Sequence, residues 1–143
     1  MNVIKKLGTV IVLMSIAISS SAFALDKNQK LFVNLTSNEI NRAAMAISYS
    51  TKVLTQLEIP VTIYLNVEGV WLADKNIPEH KHVSGKSLKE MLSGFMKAGG
   101  KVILCGMCME NIGGITKDEV IEGVEIGPGL AALFAEGTTV LSY

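Results

Sequence analysis

Three short apolar or β-branched runs, Leu31-Phe-Val-Asn-Leu35, Val61-Thr-Ile-Tyr-Leu-Asn-Val67 and Val102-Ile-Leu104, are separated by stretches with helical spacing. This alternation constrains the fold more than any other feature, because strand–helix–strand repeats build a parallel sheet with right-handed crossovers. Between the first two runs, Ile40, Ala43, Ala44, Ile47, Leu54 and Leu57 form one apolar stripe. Thr36 with Glu39 three residues on is a capping-box pattern for the start of that helix, and Pro60 stops it. Ser87 and Glu90 repeat the pattern before Leu88, Met91, Leu92, Phe95 and Met96, with Gly99-Gly100 closing the helix.

The remaining elements are shorter. Thr116 and Glu119 cap a brief helix, Val124-Glu-Ile126 supplies a small extended piece, and Pro128 suits the first turn of a helix holding Leu130, Leu133 and Phe134. Gly137 ends it, and Thr138–Tyr143 is the last strand. The expected fold is therefore α/β, a three-layer sandwich with a mainly parallel sheet of four to five strands and helices on both faces. The connection from Val70 to Gly85 is long for such a domain, carries Trp71, His80 and His82, and is interrupted by Pro78. It reads as a lid or partner-binding loop.

The first 24 residues read differently. Lys5 and Lys6 precede the apolar stretch Leu7–Ile18, and Ala22-Phe23-Ala24 fits a small-x-small cleavage site, so residues 1–24 are expected to be a cleaved secretory signal. Its apolar stretch falls short of the ~20 residues that span a bilayer, so no membrane association is expected after cleavage. The expectation is one exported, periplasmic domain over residues 25–143, with 11 basic and 13 acidic side chains. That balance argues against nucleic acid as a partner, which requires a basic excess.

Both cysteines lie in Lys101-Val-Ile-Leu-Cys-Gly-Met-Cys-Met-Glu-Asn-Ile-Gly-Gly114. Cys105 is placed at the carboxyl end of a buried strand, where open α/β sheets hold their chemistry. A helix starting at residue 106 would turn its free amides and positive end toward the sulfur and favour the thiolate. A bridge between Cys105 and Cys108 would close a loop too small to constrain the unfolded chain much, so a structural disulfide is a poor reading. The pair is reactive, metal-binding or incidental.

The strand ending at Cys105, Gly113 eight residues later, Gly123-Val-Glu-Ile-Gly127 and the closing strand resemble the DsrE/DsrF family, which includes TusD-type sulfur-relay subunits and YchN-like proteins. The likeness runs from Leu31 to Tyr143 and is most specific over 101–127. It implies a sheet of flavodoxin-like appearance, assembly into homotrimers or hexamers, and a sulfur-donor or sulfur-acceptor protein as partner. It also implies a cysteine that carries sulfur as a persulfide, at the position of Cys105. Cys108 departs from the pattern, since relay subunits usually have a small non-thiol residue there.

Persulfide transfer needs an ionised, accessible cysteine on a rigid support, and an ordinary thiol with pKa about 8.5 is only a few per cent ionised at neutral pH. The alternative of thiol–disulfide redox uses Cys105 to attack and Cys108 to resolve. A third reading gives Cys105, Met107, Cys108 and Met109 as soft ligands for Cu(I), or with His80 or His82 for Zn. A lone Cys-x-x-Cys lacks a second pair, so no metal and no cofactor are expected, and Met107 and Met109 are read as packing residues. A fourth reading is an oligomeric interaction protein without turnover. His80-Lys81-His82 reads as an exposed loop, Trp71 as a core or subunit-interface anchor, and the carboxylates between Glu110 and Glu136 as a solvated acidic face.

Overall fold

The computed structural model describes residues 28–143, and the segment read as a secretory signal lies outside them. Along Val61–Leu65 the alternate residues Val61, Ile63 and Leu65 are buried, while Thr62 and Tyr64 between them are partly covered. That period-two pattern marks a strand with one face sealed and one face less so. The strand is β2, and it lies at the centre of a five-stranded, all-parallel sheet. β1 (Lys30–Leu35), β3 (Lys101–Leu104), β4 (Glu125–Ile126) and β5 (Thr138–Ser142) complete it in the order β4-β3-β2-β1-β5. The brief extended piece near residue 125 is thus a true edge strand, paired to β3 through Ile103↔Glu125 and Leu104↔Ile126. An exposed ion pair, Lys101 Nζ to Glu125 Oε2 at 2.8 Å, crosses the same edge.

Two helices seal the inner face. α1 (Ile40–Gln56) buries Ala43, Ala44, Ala46, Ile47, Ser50 and Val53, a mostly small-residue stripe that lets the helix lie close to β1 and β2. Ser50 is satisfied within the helix, its hydroxyl donating to Ala46 O at 2.7 Å. Packed against α1 is α2 (Leu88–Lys97), which contributes Leu92 and Phe95, both fully buried. With Val33, Leu35, Ile63, Leu65, Val102 and Leu104 they form the core. Each such side chain contributes about 1.5–3 kcal/mol of hydrophobic stabilisation.

The opposite face is only lightly covered. Phe32, Asn34, Tyr64 and Val140 border a cleft shared with Leu130 and Leu133 of α4 (Leu130–Leu133), a helix of one turn. Ile126, Leu130, Phe134 and Val140 remain 39%, 55%, 79% and 46% exposed. Helices therefore flank both faces, as the sequence pattern predicts, but very unequally.

Several local expectations change. The expected capping box at Thr36 does not form: Glu39 is the N-cap of α1, accepting from the amides of Asn41 and Arg42, while the Thr36 hydroxyl donates to Tyr143 O at 2.7 Å. Leu57, counted in the apolar stripe, is 48% exposed beyond the helix end, and Val53 takes the buried position. The capping boxes at Ser87/Glu90 and Thr116/Glu119 are both present, the second on a single 3-10 turn, Lys117–Glu119.

β2 stops at Leu65 rather than Val67, because the chain turns into a 3-10 helix, Val67–Ala73, that buries Val70, Leu72 and Ala73. The start of the long connection, Val70–Ala73, thus belongs to the core. Its remainder, from Asp74 to Lys86, carries the exposed residues Glu79, His80 and Lys81.

Candidate functional site

The site forms where β3 runs out. Cys105 N–H donates to Leu65 O at 2.9 Å, the last rung between β3 and β2, and the chain then turns into α3 (Gly106–Cys108). Cys105 is the N-cap of that turn, and its sulfur accepts the Cys108 amide at 3.3 Å. The expected helix is short. After three residues it widens into a π-helical turn, Met109–Gly113, closed by Gly114 in the left-handed region at φ 61°. With so little regular helix, individual amides rather than a long aligned dipole act on the sulfur.

Strand register decides what meets Cys105. Tyr64 pairs with Ile103, so the side chain two residues further along β3 emerges on the same face as Tyr64. The Tyr64 hydroxyl and the Cys105 sulfur influence each other's ionisation. The Tyr64 ring is set by Phe32, 5.7 Å away between centroids, and by the backbone of Gly129. Gly129 has φ 68°, and a β-carbon there would lie 2.9 Å from Tyr64 Cδ2, so only glycine fits both the backbone and the contact.

The two thiols differ in ionisation. Burial by itself pushes the Cys105 thiol up, but hydrogen bonds from the Cys108 thiol, the Tyr64 hydroxyl and the amides of Cys108 and Met107 outweigh it, and the net direction is down. Burial and the hydrogen bond to Cys105 both hold the Cys108 thiol above its ordinary value, against the Val67 amide, which lowers it. Tyr64 is also pushed up, first by burial and then by its bond to Cys105. Cys105 is therefore the better thiolate and Cys108 the proton-bearing partner. Tyr64→Phe is expected to move thiolate formation at Cys105 to higher pH and to slow its alkylation by iodoacetamide at neutral pH. A thiolate absorbance titration checks this, and an unchanged curve would remove Tyr64 from the site.

Val67, the last residue of the second apolar run, is a β-branched residue with φ 49°, and its amide acts to lower the Cys108 thiol. Such a conformation costs on the order of 1–3 kcal/mol and gathers at functional sites. Beside it, Asn66 Nδ2 donates to Asn34 Oδ1 at 2.6 Å, and Asn34 Nδ2 donates in turn to Ser142 Oγ at 3.5 Å. This polar row runs across the carboxyl ends of β2, β1 and β5. Asn66 Oδ1 is buried with no hydrogen-bond partner.

Other expectations fare unequally. Cys105 is only 7% exposed, so the thiol expected to stand open lies just under the surface, between partly covered Gly106 and the wholly buried Leu104. Met109 is buried as a packing residue, whereas Met107 is 72% exposed and does not pack under the turn. Trp71 packs against the core from the 3-10 turn. His80 lines a separate cleft of about 120 Å³ with Trp71, Ile77 and Leu88, and His82 Nδ1 is engaged by Ser84 Oγ at 3.0 Å. Glu110, Asp118, Glu122, Glu125 and Glu136 are solvent-exposed. Among the described residues, no three His, Cys, Asp or Glu side chains gather as a metal site would require, and no helix is long and apolar enough to cross a membrane.

The profile of the DsrE/DsrF-like family matches residues 17–143. Solved structures with a similar fold include the ychN protein from E. coli, at 21% identity and TM-score 0.66, covering 80% of this chain and 99% of that one. A second is MTH1491 from Methanobacterium thermoautotrophicum, a protein of unknown function, at 15% identity, TM-score 0.66 and the same coverage of 80% and 99%. No curated protein matches the chain.

Proposed function

We propose, from the premise that this chain belongs to the DsrE/DsrF-like family, that it accepts sulfane sulfur on Cys105 as a persulfide and passes it on to an acceptor. Membership supports a role of the sulfur-relay type at the level of the family. The observation that carries the finer reading is a cysteine at the end of a buried strand whose sulfur, at the N-cap of the following turn, accepts the Cys108 amide at 3.3 Å. A thiolate so held attacks the outer sulfur of a donor persulfide, and the same amide then stabilises the persulfide anion that results.

Exposure of the Cys108→Ser chain, which has no second thiol beside the acceptor, to polysulfide and removal of the excess should leave a mass gain of about 32 Da, one added sulfur. A chain that stays at its starting mass under conditions that load a free thiol would end the relay reading.

A second reading has a specific observation behind it. The Cys108 amide and thiol both contact Cys105, as a dithiol pair requires, so oxidation to a Cys105–Cys108 disulfide would block loading until reduction. The proposal also places the protein outside the cytoplasm, after loss of residues 1–24, and makes it a homo-oligomer. N-terminal sequencing of the exported protein is expected to begin at Leu25. Self-association through the exposed apolar residues of the α4 face, Leu130, Phe134 and Val140, is expected to give a trimer or hexamer by light scattering. Phe134→Glu should shift it to the monomer, and a wild-type monomer at micromolar concentration would refute the assembly.

A further inference from the structure

Cys108 is not needed by a simple relay. A one-thiol carrier hands its sulfur to an external acceptor, and a second thiol within reach of the persulfide competes with that hand-off. Here the second thiol is built in. Cys105 caps the turn, the Cys108 amide donates to its sulfur at 3.3 Å, and the intervening Gly106-Met107 holds the two residues three apart on one helical turn. On a helix, residues at that separation lie on the same side and their side chains meet. Cys108 is partly buried and packs against the core, which confines its side chain.

We propose that the chain releases the sulfur it accepts as hydrogen sulfide, with Cys108 attacking the inner sulfur of a Cys105 persulfide to form a Cys105–Cys108 disulfide. This rests on Cys105 being the acceptor. One S–S bond forms, between the two cysteine sulfurs, and one breaks, between the inner and outer sulfurs of the persulfide. The outer sulfur takes the electron pair of the broken bond and leaves reduced, at the level of sulfide. The proton that Cys108 gives up leaves on it. Persulfide anion plus thiol yields disulfide plus HS⁻, with one negative charge and one proton on each side.

The division of labour between the thiols suits this step. Cys108 must give up its proton to attack, and the persulfide anion beside it is the base that takes that proton and carries it away on the departing sulfide. Because the attacking sulfur is already positioned, the reaction is unimolecular and outruns a dilute external thiol. A dithiol reductant from outside then restores both cysteines. Each turnover consumes one sulfane sulfur and one dithiol and delivers one sulfide. The substrate class is therefore a polysulfide or a protein persulfide, and the co-reactant a dithiol.

The test is a single turnover without reductant. The chain is loaded from inorganic polysulfide at low temperature, freed of donor by rapid gel filtration, and followed by intact mass and by sulfide-selective electrode. Wild type is expected to release about one sulfide per loaded chain and finish about 2 Da below the reduced mass, as a disulfide. Cys108→Ser and Cys108→Ala are expected to keep the added sulfur and release at least about tenfold less sulfide over the same interval. Two alanine- and serine-type replacements guard against an effect of either side chain on folding, which circular dichroism monitors. If wild type and both variants hold the added sulfur equally, or release sulfide equally, Cys108 does not act and the inference is overturned while the relay stands. If Cys108→Ser itself gains no sulfur, the relay reading falls and takes this inference with it.

Discussion

Cys105→Ser is expected to abolish sulfur uptake altogether, leaving the chain at its starting mass under conditions that load the wild type. A serine hydroxyl has nearly the shape of the thiol but remains protonated at neutral pH, so it offers no nucleophile to a sulfane sulfur. The fold should be little changed. The N-cap position accepts serine readily, and the Cys108 amide, now bonded to the Cys105 sulfur at 3.3 Å, would find an oxygen acceptor instead. Loss of loading with unchanged stability therefore separates chemistry from structure. Uptake at wild-type stoichiometry by Cys105→Ser would move the acceptor to Cys108 and reverse the roles assigned here. Partial uptake, at a rate set by pH, would mean that both thiols accept sulfur in parallel.

The second large effect is structural. Gly69→Ala is expected to cost about 3 kcal/mol or more, a severe loss for a domain whose whole stability is on the order of 5–15 kcal/mol. Gly69 lies in the 3-10 turn Val67–Ala73, its amide donating to Thr36 O at 3.1 Å and to Asn66 O at 2.9 Å. A β-carbon at this position would stand 2.2 Å from Leu35 O and 3.1 Å from Leu35 C. Those are backbone atoms of a fully buried strand end that cannot rotate aside. Leu35 O is itself bonded by the Asn66 amide, so relief on one side breaks a bond on the other. Gly94→Ala provides the contrast: Gly94 sits mid-helix in α2 with open space around its α-carbon, and its replacement should stabilise by up to about 1 kcal/mol through helix propensity alone. Urea unfolding of the two variants measures both. A Gly69→Ala midpoint within about 0.5 kcal/mol of wild type would show that the elbow can yield.

The ease with which the architecture is read from the chain, and the difficulty of reading the site, have a common physical origin. Apolar periodicity is a one-dimensional signal, and Val61, Ile63 and Leu65 or Leu88, Leu92 and Phe95 report their own elements without reference to anything distant. Even the edge strand at Glu125–Ile126 is visible, because Gly123 and Gly127 bracket it. The cysteine turn is legible for the same reason, as a buried strand followed by a break in pattern.

Tyr64 is another matter. It is an ordinary strand residue until strand register sets it opposite Ile103, and no spacing along the chain encodes that pairing. Val67 is harder still, since a β-branched residue gives every local sign of continuing β2 and is forced to φ 49° by the packing that follows. Thr36 shows the converse failure. Its capping-box spacing to Glu39 is sound, but the hydroxyl is taken by Tyr143 O, more than a hundred residues away. Local patterns of this kind are offers that tertiary contacts accept or decline.

β1 is flanked on one side by β2 and on the other by β5, so residues 30–35 do not acquire their second neighbour until residues 138–142 have been made. The Asn34–Ser142 bond spans 108 positions. Until then an apolar central strand keeps one unpaired edge, which makes the nascent chain slow to mature and open to holdase chaperones and stray partners. Truncation before residue 138 is therefore expected to leave β1 with an open edge and to favour aggregation.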